Sequence, residues 1–106
     1  MKKETVSVIG LGFVGFPMAC ILASKKDFFD VIGIDKDIEK IKKEKIEALK
    51  KNANLFEDKD LNKICQRVIN KDRIHFSNSL KDIEKSDVVI ICVNFDLKMN
   101  KLRQLK

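Results

Sequence analysis

Three glycines and one carboxylate carry the first chemical signal in the chain. Gly10-Leu11-Gly12-Phe13-Val14-Gly15 satisfies the G-x-G-x-x-G spacing, and Asp35 follows Gly15 by twenty residues. Bare backbone amides at the start of a helix bind anions, because unsatisfied N–H donors and the positive end of the helix dipole face the same way. In such a turn Gly10 permits the tight bend out of a strand. Gly12 lets a pyrophosphate approach the backbone, and Gly15 lets the following helix press against a sheet. A carboxylate placed like Asp35 accepts hydrogen bonds from ribose hydroxyls. This is the chemistry of a dinucleotide site, provided that the glycines join a strand to a helix and that Asp35 ends the next strand. A 2′-phosphate ~4 Å from Asp35 meets roughly 4 kcal/mol of repulsion per charge pair at an effective dielectric of ~20, so the pattern favours NAD over NADP. Lys36 and Lys40 close by, together with solvent, soften that preference.

The elements around these residues meet the proviso. Val6-Ser7-Val8-Ile9 is a short β-branched run stopped by Gly10, as expected of a strand buried on both faces of a parallel sheet. Residues 12–24 are apolar almost all round, which predicts a buried helix with Pro17 in its first turn. Residues 30–35 read as a second strand. Residues 37–50 read as a second helix carrying Ile38, Ile41, Ile46 and Leu49, with an acidic start and a basic end that suit the dipole. Leu61, Ile64, Cys65, Val68 and Ile69 form the stripe of a third helix. Residues 73–77 fit a short strand, and 79–85 a short helix in which Ser79 and Asp82 form a cap pair. The unbroken apolar run 87–93 reads as a central strand.

The order βαβααβαβ predicts an α/β fold: a partial Rossmann-like, doubly wound parallel sheet of about four strands in the order 3-2-1-4. In that order no fifth strand lies beside the fourth, so residues 88–93 expose an apolar edge that invites homo-oligomer formation. Residues 1–94 are expected to form the half-domain and 95–106 a basic tail.

Composition narrows the function. A chain of 106 residues allows one domain and no deep substrate chamber. With 44% hydrophobic and 36% charged residues it is neither disordered nor repetitive. The net charge of +6 is spread as lysines among acids, with Arg67, Arg73 and Arg103 the only arginines and no Trp or Tyr to stack on bases. Nucleic acid is therefore not expected as a partner. Cys20, Cys65 and Cys92 lie among apolar neighbours at spacings that fit neither a zinc ribbon nor a redox pair, so reduced buried thiols and no metal site are expected. No stretch approaches the ~18 apolar residues of a membrane span, and a cytoplasmic location with no membrane partner is the expectation. His75 has no partnered Asp or Cys and reads as structural.

The segment Val8-Ile9-Gly10-Leu11-Gly12-Phe13-Val14-Gly15-Phe16-Pro17-Met18-Ala19 resembles V-I-G-L-G-Y-V-G-L-P-L-A, the opening of the amino-terminal NAD-binding domain of the nucleotide-sugar dehydrogenases, the UDP-glucose/GDP-mannose dehydrogenase family. The resemblance runs from about Lys3 to Asn94 and takes in Val31-Ile32-Gly33-Ile34-Asp35 as the second strand. It implies NAD as cofactor, held by Gly10, Gly12, Phe13, Val14, Gly15 and Asp35. Lys40 falls where family members often carry a basic residue near the adenosine ribose. Residues 57–61 resemble the family's E-P-G-L helix start, with Asp58 and Lys59 in place of Pro and Gly. Residues 87–94 resemble the strand ending in V-P-T-P or V-N-T-P, which puts Val93 and Asn94 beside the cofactor, although Phe95 and Asp96 replace the usual Thr and Pro.

The family's reaction, as the resemblance implies it, is two successive NAD-dependent oxidations of a sugar C6 alcohol to a carboxylate through a cysteine thioester. Neither Cys20, Cys65 nor Cys92 matches that nucleophile. The chain is thus expected to be a fragment or truncated form that binds a dinucleotide poorly and has no catalytic residue, with a UDP-sugar substrate only in a full-length relative. Two alternatives stand beside this. Gly10 to Ala19 also resembles the G-L-G-x-M-G-x-x-M-A opening of β-hydroxyacid-type dehydrogenases, although Val14 replaces the Met and Asp35 stands where many prefer an Asn-Arg pair. The other is a non-catalytic Rossmann interaction module.

Overall fold

Each β-branched run of the chain becomes a strand of one parallel sheet. The computed structural model describes residues 2–92, in which β1 (Glu4–Ile9), β2 (Phe29–Ile34), β3 (Ile74–Ser77) and β4 (Val88–Ile91) lie in the order β3-β2-β1-β4. Every pairing is parallel: Val8 lies opposite Gly33 on β2 and Ile90 on β4, and Ile34 lies opposite Ser77 on β3. The predicted α/β class and strand order are both observed. Parallel neighbours need crossover connections, and helices supply them. α1 (Gly15–Ser24) joins β1 to β2, α4 (Lys59–Asn70) leads into β3, and a 3-10 turn (Leu80–Lys85) leads into β4.

Between β2 and α4 the chain runs as a helical rod in three pieces: α2 (Ile38–Ile41), a π-helical turn (Lys42–Ile46) and α3 (Glu47–Lys50). The spacing of its apolar residues explains the middle piece. At 100° per residue Ile46 would fall about 80° away from Ile38 on a regular helix, whereas Ile38, Ile41, Ile46 and Leu49 are all buried together. A wider turn brings Ile46 back into line with the core. The core itself gathers Val6 and Val8 of β1, Val31 of β2 and Ile74 of β3 beneath Phe16, Ala19 and Cys20 of α1 and Cys65, Val68 and Ile69 of α4. The predicted stripe on α4 therefore faces inward, with Leu61 and Ile64 packed at its margin.

Four details differ from expectation. α1 starts at Gly15 rather than at residue 12, because the three residues before it form the turn. It is also buried on one side only. Its outer face, Val14, Pro17, Met18, Ile21 and Leu22, lines with Ile90 an open apolar groove of about 500 Å³, since the sheet and α4 cover just one flank of the helix. The apolar run that by itself reads as a central strand is the edge that the order 3-2-1-4 predicts: among the described residues β4 pairs with β1 alone, and Ile91 is 65% exposed. Hydrophobic continuity marks a strand without saying which neighbours it has. Finally, Ser79 does cap the 3-10 turn, accepting from the Lys81 N–H at 3.3 Å, but Asp82 accepts from the Ser77 hydroxyl instead of closing a pair with Ser79.

Asp58, which departs from the family's helix start, takes over the capping of α4 by accepting from the N–H groups of Asp60 (2.9 Å) and Leu61 (3.1 Å). Buried Asn62 then ties the preceding loop down, accepting from the Phe56 N–H and donating to the Phe56 carbonyl. Cys20 and Cys65 are free, buried and adjacent, and the hydrogen bond between them, together with burial, pushes the Cys20 thiol up; Cys92 is half-buried and free. His75 is exposed on β3. Among the described residues no helix is long and apolar enough to cross a membrane.

Candidate dinucleotide site

The glycine turn sits between the ends of β1, β2 and β4. Its first residue, Gly10, has φ +91°, a left-handed conformation that favours glycine, and its N–H donates to the Ile34 carbonyl at 2.8 Å. A Cβ there would stand 1.8 Å from the Cys92 carbonyl oxygen, and a Cβ on Gly15 would stand 1.6 Å from the Gly10 carbonyl oxygen. Both glycines are required by backbone packed on backbone. Gly12 is different: nothing lies within 4 Å of where its Cβ would be. The space over this one glycine is open on the outside of the turn.

The amides around Gly12 are bare. Among the described residues no hydrogen bond engages the N–H groups of Gly12, Phe13 or Val14, and α1 begins with no side-chain cap and no acidic residue in its first turn. Phe13 is 92% exposed and Val14 is also exposed, so their side chains flank the turn without covering it. Uncapped donors at the positive end of a helix, beside a glycine with room above it, fit an anionic diphosphate.

Asp35 follows β2 directly, and its carboxylate is turned toward the glycine turn. One oxygen accepts from the Leu11 N–H at 2.8 Å and the other from the Asp37 N–H at 2.9 Å. A carboxylate offers about four lone-pair sites, so two remain for further donors such as hydroxyls. The same group thus anchors the turn and keeps capacity for a ligand.

One residue here escaped the sequence reading. Lys45, on the π-helical turn, donates from Nζ to the Leu11 carbonyl at 2.9 Å and stands 5.3 Å from the centre of the Phe16 ring. Phe16 in turn stacks on Phe76 of β3. Burial pushes the Lys45 ammonium down from its ordinary value, and the carboxylates of Asp35 and then Glu44 oppose that shift. Lys40, expected near the ribose, is exposed on α2. The clue to Lys45 is the five-residue step from Ile41 to Ile46, which a regular helix does not accommodate on one face and which carries the preceding lysine inward. The expected contributions of Val93 and Asn94, and the domain boundary at residue 94, lie outside the described residues.

Known proteins resemble this chain in sequence and in fold. The sequence profile of the UDP-glucose/GDP-mannose dehydrogenase family, NAD binding domain, matches residues 4–106. The UDP-N-acetyl-D-mannosamine dehydrogenase of Methanocaldococcus jannaschii is 35% identical over 90 residues, which are 85% of this chain and 19% of that protein. The solved UDP-glucose dehydrogenase of Pyrobaculum islandicum superposes with a TM-score of 0.62 at 25% identity, covering 87% of this chain and 20% of the other. For the GDP-mannose dehydrogenase of Pseudomonas aeruginosa the TM-score is 0.59 at 27% identity, with coverage of 84% and 19%. The chain therefore spans about a fifth of the length of these relatives. The match is to the nucleotide-sugar enzymes, the first of the two dehydrogenase resemblances drawn from the sequence.

Proposed function

Because the chain belongs to the UDP-glucose/GDP-mannose dehydrogenase family and corresponds to its NAD-binding domain, we propose that Gly10, Gly12, Phe13, Val14, Gly15 and Asp35 form its NAD site. The bare amides from Gly12 to Val14 cradle the diphosphate, and the free lone pairs of Asp35 accept from the adenosine ribose. Lys40, exposed on α2, is proposed as a basic residue near the adenosine ribose, and Val93 and Asn94, which lie outside the described residues, are proposed as further cofactor contacts. The observation that carries this reading is the open space over Gly12, at the one glycine of the motif that the packing does not require. NAD, when bound, supplies the hydride acceptor for oxidation of a sugar-nucleotide alcohol. The residues named here bind and orient it, and none of them is assigned a catalytic role. The oxidation of a UDP-sugar to its uronic acid belongs to a whole protein of the relatives' length, and the cytoplasm is its proposed location.

Titration calorimetry of the 106-residue chain with NAD, beside a Gly12→Val variant, tests the reading. Heat of binding is expected for the wild type and none for the variant. Equal heats from the two would remove the basis for a site at this turn.

A second reading rests on a different observation, the exposed Val88, Val89 and Ile91 of the β4 edge. There the domain pairs with a second copy of itself through the β4 edge, which no other strand among the described residues covers, independently of any dinucleotide. Size exclusion with light scattering distinguishes the two: a monomer at high protein concentration that binds NAD leaves this reading without support.

A further inference from the structure

We propose that Lys45 is a positioning residue that aims the Gly12 amide at the cofactor's diphosphate. The inference rests on the NAD reading above and extends it to a residue outside the glycine motif. Two groups grip the backbone of Leu11 from opposite ends: the Asp35 carboxylate takes its N–H at 2.8 Å, and the Lys45 ammonium gives to its carbonyl at 2.9 Å. The Leu11 carbonyl and the Gly12 N–H belong to one planar trans peptide, so they point in opposite directions. Drawing the carbonyl toward Lys45 therefore turns the Gly12 N–H away from the helical rod. Nothing lies within 4 Å of the Gly12 Cβ position, and glycine has wide conformational latitude, so the hydrogen bond from Lys45 narrows the orientations open to this peptide plane.

The hold is itself well seated. The Lys45 ammonium lies over the Phe16 ring of α1, and Phe16 is fully buried and stacked on Phe76. The π-helical turn permits Ile46 to enter the core while its neighbour Lys45 reaches the loop. Three elements, the rod, α1 and the turn after β1, thus meet at one ammonium group. A charged donor makes the stronger kind of hydrogen bond, which suits fixing a single peptide plane.

The test compares wild type, Lys45→Met and Lys45→Arg in the full 106-residue chain. Met keeps the stem and its packing but loses the donor; Arg restores a cationic donor. Calorimetry is expected to show NAD binding weakened about tenfold in Lys45→Met and restored to within about threefold in Lys45→Arg. Without ligand, the Leu11 carbonyl-carbon and Gly12 amide-nitrogen resonances are expected to move in Lys45→Met and to return toward wild type in Lys45→Arg. A structural role alone would not give that pairing of local resonances with affinity. Affinity unchanged in Lys45→Met overturns the proposal, and so does weakened affinity with unmoved resonances, which would mean direct contact with the cofactor. A wild-type chain that binds no NAD overturns the reading beneath it, and the ligand-free resonances then still decide whether Lys45 sets the Gly12 amide.

Discussion

Gly10, Gly12 and Gly15 occupy one motif for different reasons, and the difference has measurable consequences. At Gly10 a side chain meets both a positive φ and the Cys92 carbonyl, and at Gly15 it meets the Gly10 carbonyl. The obstacles are backbone atoms, which do not swing aside as a flexible side chain does. Gly10→Ala and Gly15→Ala are each expected to cost ~3 kcal/mol or more in urea unfolding, the sum of overpacking and, at Gly10, left-handed strain. Gly12→Ala meets nothing, so its stability is expected to stay within about 0.5 kcal/mol of wild type while NAD binding is lost. If Gly12→Ala unfolded the chain like the other two, its glycine would be structural and the open space over it without functional meaning. Asp35 combines both kinds of role, since it braces the Leu11 and Asp37 amides and retains lone pairs for a ligand.

Among the elements, the helices and strands are held by few but specific polar anchors at their ends. α4 depends on Asp58, whose carboxylate satisfies two amides of its first turn. Asp58→Ala is expected to cost ~1 kcal/mol, lowering the melting temperature by roughly 4–8 °C for a domain of this size. At the end of β3 a relay runs from the Ser79 N–H to the Ser77 hydroxyl and on to the Asp82 carboxylate. The Ser77 hydroxyl holds Asp82 below the ordinary carboxylate range, with Lys85 and His75 adding to the effect. A carboxylate with a lowered folded-state pKa binds fewer protons folded than unfolded. Its stabilisation is thus present above the ordinary carboxylate value and is lost as the pH falls through the lowered one. The gap in urea midpoint between wild type and Asp82→Asn is therefore expected to narrow as the pH falls from about 5 through the ordinary carboxylate value and below it. A gap that stays constant over that range would mean that the relay does not favour the ionised form. The sequence carries most of these elements openly, because β1 and β2 are continuous apolar runs buried on both faces and α4 presents one apolar stripe to the core. It hides what depends on neighbours distant along the chain. Val88 to Ile91 read as central from the run alone, and only the strand order 3-2-1-4 reveals them as an edge. Lys45 was invisible because a π-turn is a response to packing, betrayed only by the step from Ile41 to Ile46.

For the molecule as a whole, net charge and apolar surface pull association in opposite directions. The net charge of +6 makes two copies repel at low salt. Meanwhile β4 offers an edge left unpaired among the described residues, with Val88, Val89 and Ile91 exposed, beside the apolar groove between α1 and Ile90. Hydrophobic contact and strand pairing act at touching distance, whereas the repulsion extends over a Debye length of about 10 Å at 0.1 M salt and about 3 Å at 1 M. Raising salt therefore removes the long-range opposition and leaves the short-range attraction. Self-association through β4 is expected to strengthen from low to high salt, and Ile91→Lys, which adds charge at the edge, is expected to abolish it. The sign of the salt dependence also separates this contact from one with a polyanion, where counterion release makes affinity fall as salt rises. Sedimentation of wild type and Ile91→Lys at two salt concentrations reads both at once. Association that weakens with salt, or that survives Ile91→Lys, would place the contact on the lysine surface rather than on the strand edge.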